Sequence, residues 1–195
     1  MNIGIFGGTF NPLHNVHCHI IEKFLEQYAP AIVHIIPCSL SPFKNKELLI
    51  DDKHRLEMLT LVFRSPDTVI DDREIRRGGI SYTIETIKEL KGIYPDDTLY
   101  LIIGGDQAKR FSEWKDYGQI VNYAEILIAE RYGFGGFESI KQLFAESNSI
   151  KSLSVEVSDL SSSMIRNRVQ HNETTDAFVP KQIADYIQEH SLYKL

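Results

Sequence analysis

Two histidines three residues apart stand in the segment Gly7-Gly8-Thr9-Phe10-Asn11-Pro12-Leu13-His14-Asn15-Val16-His17. It falls between a short apolar run and a stretch of helical apolar spacing. Paired glycines let a backbone turn tightly and offer bare N–H groups to a phosphate, and Thr9 adds a hydroxyl. In a first helical turn His14 and His17 share one face. Donors fixed beside a phosphate suit transfer at phosphorus, because charge builds on its oxygens in the transition state. The plainer alternative is a glycine turn with two surface histidines. Neither G-x-x-x-x-G-K-[S/T] nor G-x-G-x-x-G occurs in this turn, and no Glu or Cys partner stands at zinc-site spacing. The strand–turn–helix setting favours nucleotide handling, with no metal held by the protein itself.

Further candidates lie downstream. Lys44 follows Ser41-Pro42-Phe43 just beyond a buried strand, where a loop cation can close on phosphates, although most lysines are plain surface residues. Ser161, Ser162 and Ser163 read first as a helix N-cap. A capped end also exposes N–H groups, and Arg166 one turn in offers a bidentate guanidinium. Gly104 and Asp106 end the clearest strand, where a small backbone admits a ribose or adenine and a carboxylate accepts sugar hydroxyls. A helix cap is the competing role for Asp106. Ser81, Tyr82 and Thr83 open another helix, whose free N–H groups suit an anionic carboxylate better than a carboxamide. Trp114, the only tryptophan, reads as packing on its own.

These residues need a scaffold, and the apolar pattern supplies one. Strands are expected at residues 2–6, 31–36, 68–70, 98–103, 125–129 and 152–157. Helical spacing covers 17–28, a segment capped by Asp51 or Asp52 with the stripe Leu56, Leu59 and Phe63, then 81–90, 106–124 and 137–147. Two more helices start near 161 and 180. The alternation predicts an α/β doubly wound, Rossmann-like parallel sheet with helices on both faces and a small C-terminal helical appendage. Ligands then bind at the carboxyl ends of the strands. The expected organisation is one domain over residues 1–195, with 161–195 its helical C-terminal part.

Composition narrows the function classes. There are 21 Lys and Arg against 27 Asp and Glu, a net charge of −6. An acidic surface disfavours nucleic-acid and anionic-membrane partners. No apolar stretch nears the ~18 residues of a membrane span, and residues 1–6 are too short for a signal peptide. Cys18 and Cys38 form no disulfide framework and are expected to be packing residues. A cytoplasmic protein is the expectation, with homo-oligomerisation left open.

The first segment resembles the G-G-T-F-[D/N]-P-x-H-x-G-H signature of the nucleotidylyltransferase superfamily. Within it, the chain resembles the bacterial nicotinate-mononucleotide adenylyltransferases nearly end to end. Ile36-Pro37 with Ser41-Pro42-Phe43-Lys44 is similar to the I-P…P-P-H-K loop, and Lys53-His54-Arg55-Leu56-Glu57-Met58 to the next helix start. Glu74…Arg77-Gly78-Gly79-Ile80-Ser81-Tyr82-Thr83-Ile84-Glu85-Thr86 is similar to the stretch nearest the nicotinate. Ile103-Gly104-Gly105-Asp106 with Phe111 and Trp114, then Leu160 to Arg166, follow in order. The resemblance implies that ATP and nicotinate mononucleotide are joined, giving nicotinate adenine dinucleotide and pyrophosphate, with Mg²⁺ carried on ATP phosphates. It implies that His14, His17, Lys44 and Arg166 serve catalysis. Gly7, Gly8, Thr9, Phe10, Gly104, Asp106, Ser162 and Ser163 would hold ATP. Ser81, Tyr82, Thr83 and Trp114 would hold the nicotinate nucleotide, Trp114 as a stacking surface.

The chain departs from the pattern at Val16, where the family has glycine, and at Phe43, where it has histidine. Val16 is expected to crowd the adenine, and Phe43 removes a phosphate donor. A pantetheine-phosphate adenylyltransferase would share the first turn but lack the 81–83 and Trp114 segments. A nucleotide binder without turnover is the reading that Val16 favours. A class I tRNA synthetase fails on length and on acidic charge.

Overall fold

The computed structural model describes residues 1–43, 49–129, 135–144, 149–153, 155 and 160–194. Among them, six strands alternate with helices: β1 (Asn2–Gly8), β2 (Ala31–Pro37), β3 (Thr68–Ile70), β4 (Thr98–Gly104), β5 (Glu125–Ala129) and β6 (Ile150–Ser152). All pair in parallel, in the order β3-β2-β1-β4-β5-β6. The chain builds outward from β1 through β2 and β3, then crosses back to place β4 on its other side. That reversal opens a crevice at the carboxyl ends of β1 and β4.

Strand residues alternate between two helical layers, as the period of two requires. In β4, Leu99, Leu101 and Ile103 face one apolar core, whereas Tyr100 and Ile102 face the other. The second layer holds α1 (Asn15–Gln27) and α2 (Asp52–Val62), in which Ile20, Ile21 and Phe24 form the expected stripe of α1. The C-terminal helices α8 (Ser162–Gln170) and α9 (Lys181–Glu189) join that same layer, with Ile165, Val169, Ile183 and Ile187 buried in it. The first layer contains α4 (Thr83–Ile93), α5 (Gly105–Lys109), α6 (Tyr117–Ile120) and α7 (Gly136–Leu143).

Three local expectations change. The helix expected over 106–124 is broken into α5, a 3-10 turn at Phe111–Glu113 and α6, with Asp116 left-handed (φ 51°) at the last break. The strand placed at 152–157 lies earlier, because Ile150, not the 155 region, registers with Ile126; residues 154 and 156–159 lie outside the described residues. A short helix, α3 (Arg73–Arg77), occupies a stretch read only as polar. Its buried residue is Glu74, so no apolar period announces it. In α2 the buried residues are Arg55, Met58 and Leu59, so an arginine replaces part of the expected stripe.

No helix among the described residues is long and apolar enough to cross a membrane.

Candidate active site

β1 ends with Gly7 and Gly8 in register with Ile36 and Pro37 of β2. The tight turn is not made at these glycines. Phe10 takes the left-handed conformation (φ 46°) and is 1% exposed, its ring edge-on to Phe6 at 5.8 Å and to His17 at 5.1 Å. Gly8 serves by lacking a side chain: a Cβ there would stand 3.1 Å from the Phe10 ring. The turn is fixed from behind by Arg55, fully buried, whose guanidinium donates to the Thr9 carbonyl at 3.0 Å and pairs with Asp52.

His14 is the N-cap of α1 and is buried. Its backbone N–H donates to Nδ1 of His17 at 3.2 Å, and the two rings stack with centroids 3.5 Å apart. With Nδ1 accepting, a neutral His17 carries its proton on Nε2, an assignment made from the hydrogen bond. The pair therefore presents a defined N–H donor at the first turn of α1.

The start of α8 meets this turn from the side. Ser161 is the cap, accepting from the Met164 N–H at 3.3 Å. The Ser162 hydroxyl donates to the Pro12 carbonyl at 2.8 Å, and Arg166 donates to the Asn11 carbonyl at 2.8 Å and to Ser163 Oγ at 3.1 Å. Burial draws the Arg166 pKa down from its ordinary value. Ser162 thus holds the turn and Ser163 the arginine, and both also line the cavity.

The opposite wall comes from the connection between α3 and α4. Gly78 and Gly79 both take positive φ (71° and 69°), with open space around each, so conformation rather than room calls for glycine here. They turn the chain so that Leu40 bridges Ile80, the Ser81 N–H donates to the Leu40 carbonyl at 2.9 Å, and the Ser39 N–H donates to Ser81 Oγ at 3.0 Å. Tyr82, not Ser81, is the N-cap of α4, without a side-chain cap bond. Lys115 lies 4.2 Å above the Tyr82 ring and pairs with Glu85 at 2.7 Å. Trp114 packs on Phe111 at 5.1 Å, and its buried Nε1 has no hydrogen-bond partner among the described residues.

These parts enclose one cavity of about 780 Å³ at the switch point. Its lining includes Gly7, Gly8, Thr9, His14, His17, Ser162, Ser163 and Arg166 on one side and Ser81, Tyr82, Thr83, Gly104, Asp106 and Trp114 on the other. Asp106 is exposed in the first turn of α5, whose cap is Gly104, so the capping role falls to the glycine. Phe10 is the exception: it lies in the core rather than in the cavity wall. Lys44 lies outside the described residues. Val16 does line the cavity. Cys18 and Cys38 are not joined in a disulfide; Cys38 is buried, and burial pushes the Cys18 thiol up to about 12.

Glu74 and Thr86, which the resemblance puts in the stretch nearest the nicotinate without a role of their own, are both buried and both in the wall. The Thr86 hydroxyl donates to Glu74 Oε1 at 2.6 Å, a bond across the glycine turn that spacing alone does not reveal.

Residues 5–168 match the cytidylyltransferase-like family. The nicotinate-nucleotide adenylyltransferase of Bacillus subtilis (strain 168) is 34% identical, covering 98% of each chain. A probable nicotinate-nucleotide adenylyltransferase of Geotalea uraniireducens (strain Rf4) is 33% identical over 99% of this chain and 98% of its own. Among solved structures, the Plasmodium falciparum nicotinic acid mononucleotide adenylyltransferase complexed with NaAD superimposes with a TM-score of 0.81 at 23% identity, covering 98% of this chain and 97% of that one, a likeness of fold. Together with the switch-point cavity and its paired histidines, these matches place the chain in the cytidylyltransferase-like family, among the nicotinate-nucleotide adenylyltransferases.

Proposed function

We propose that the cavity joins ATP to nicotinate mononucleotide, releasing pyrophosphate and forming nicotinate adenine dinucleotide. The observation that carries this reading is the convergence of the stacked His14–His17 pair and Arg166 on one side with the uncapped start of α4 on the other. A phosphate oxygen of the acceptor attacks the α-phosphorus of ATP in line, and the bond to the bridging oxygen of pyrophosphate breaks. The protein supplies no nucleophile, so its work is positioning and charge stabilisation.

His17 Nε2–H and His14 donate to phosphate oxygens as charge gathers on them. Arg166, held on two sides, faces the leaving pyrophosphate together with the N–H groups at the start of α8. Lys44 has the same task by resemblance. Asp106 accepts from the ATP ribose, and the N–H groups at the start of α4 receive the nicotinate carboxylate beside the Trp114 ring. Mg²⁺ carried on the ATP phosphates would supply charge neutralisation of the triphosphate. Among the described residues no three His, Cys, Asp or Glu cluster around a common point. Residues 1–195 act as one domain in this reading.

The test is pyrophosphate release with ATP and Mg²⁺, offering nicotinate mononucleotide, nicotinamide mononucleotide and phosphopantetheine in parallel. Turnover mainly with nicotinate mononucleotide supports the reading. Turnover with phosphopantetheine alone overturns the acceptor, and nucleotide binding without turnover overturns catalysis.

A further inference from the structure

Glu74 is a carboxylate buried where an apolar residue would pack more cheaply. It is 6% exposed in α3, and its Oε1 accepts the Thr86 hydroxyl at 2.6 Å. Arg77 donates to that same hydroxyl oxygen at 2.9 Å and lies 3.9 Å from Glu74 Oε1. Thr86 Oγ1 therefore gives one hydrogen bond and receives another, which fixes its rotamer. From Arg77 the chain of contacts continues to Glu89 at 2.6 Å, and Arg73 links Glu89 at 3.4 Å to Asp71 at 2.8 Å. Asp71 then meets Nδ1 of His34, on β2, at 2.8 Å. Side chains of α3 and α4 are thus tied to the sheet by directional bonds.

The placement of Thr86 gives this network a consequence in the cavity. It stands three residues into α4 from Thr83, directly below the N–H groups that open the helix. The apolar contacts of Ile84, Ile87 and Leu90 set how deeply α4 sits on the sheet. These side chains interdigitate with their neighbours, and directional bonds add to that hold along the helix axis. The Thr86–Glu74 hydrogen bond is the buried one nearest the helix start, while Lys88, Lys91 and Glu85 make theirs at the exposed or half-buried surface.

We propose that Glu74 is a positioning residue for the acceptor substrate: through Thr86 it sets the axial place of α4, and so the strength and selectivity with which the acceptor's carboxylate is held. The inference rests on the reading of the α4 start as the nicotinate end. Different side chains, Arg55 and Arg166, hold the turn at the phosphate end, so disturbing Glu74 separates the two substrates.

The experiment is steady-state kinetics on the full chain with Mg²⁺ and ATP, with thermal melts as a folding control. E74A and T86V each raise KM for nicotinate mononucleotide by about tenfold, the scale of a lost hydrogen bond to a charged group. KM for ATP and kcat stay within about twofold, the split expected when only acceptor binding is touched. The double variant is no worse than the worse single, because both act on one path. T86S keeps the hydroxyl and the native KM, and E74Q, which keeps an acceptor oxygen, falls between. The preference for the carboxylate over the amide acceptor narrows in E74A. Equal rises in both KM values, a fall in kcat alone, or additive losses in the double variant would overturn the inference. If the wild-type chain uses a different acceptor, the functional reading fails, and the same KM split measured with that acceptor still decides the role of Glu74.

Discussion

The two ends of the cavity are held by different physics. At the phosphate end, arginines reach into the turn and grip neutral backbone carbonyls: Arg55 on Thr9, Arg166 on Asn11, with the Ser162 hydroxyl on Pro12. At the acceptor end, side chains hold side chains in a run of carboxylates and guanidiniums from His34 to Glu74. The carbonyl anchors carry no ionisation of their own, whereas the His14–His17 pair and the Asp52 partner of Arg55 do. The acceptor end depends on charges that acid can remove. Rate belongs to the first end in this account, and choice of acceptor to the second.

The largest expected effect is on rate. H17A removes the Nε2–H donor, and kcat falls by about 10²–10³, the usual cost of one transition-state donor. Both KM values move little, which steady-state titration of each substrate at saturating levels of the other checks. Next is R55A, which leaves the Thr9 carbonyl without its donor and opens a cavity beneath the turn. A loss of about 3 kcal/mol is expected in denaturant unfolding, with ATP binding weakened more than acceptor binding.

Acid acts on the acceptor end. Burial pushes the Asp71 carboxyl up, but hydrogen bonds from His34 and Arg73 outweigh it and hold the group well below the usual carboxylate range. The unfolded carboxyl titrates near ~4. Below that pH, unfolding takes up a proton that the native group refuses, so stability present at neutral pH drains as pH falls toward the native value. D71N is expected to be less stable at pH 7 and to show a flatter acid limb in melts run from about pH 5 down to about 2. The smallest effect is at Val16, in the cavity wall on α1. V16G lowers KM for ATP by about two- to fivefold by relieving crowding, as overpacking scales go. It costs about 1 kcal/mol of stability because glycine weakens a helix.

How legible each end was in the sequence follows from how local its bonds are. His14, His17 and the glycines lie within one eleven-residue run, and the serine cap precedes Arg166 by one turn, so type and spacing were enough. Even there, one detail was hidden. The left-handed residue is Phe10, kept in that conformation by burial of its ring between Phe6 and His17, which is tertiary packing. At the acceptor end Ser81, Tyr82, Thr83 and Trp114 were visible through family resemblance. The Glu74–Thr86 bond was not, because it spans 12 residues across two left-handed glycines and starts from a helix whose buried residue is charged. Arg55 was visible through the resemblance, but its burial was not, because apolar periodicity cannot report a guanidinium in the core. Layer order was readable, since alternating strands and helices of these lengths admit few topologies.

The division of labour is tested most directly by measuring kcat/KM for nicotinate and nicotinamide mononucleotide side by side in wild type, H17A and E74A at saturating ATP. H17A should lower both values in parallel and leave their ratio unchanged. E74A should keep kcat and shrink the ratio. A changed ratio in H17A, or a collapse of kcat with an unchanged ratio in E74A, would contradict the assignment of rate to one end and choice to the other.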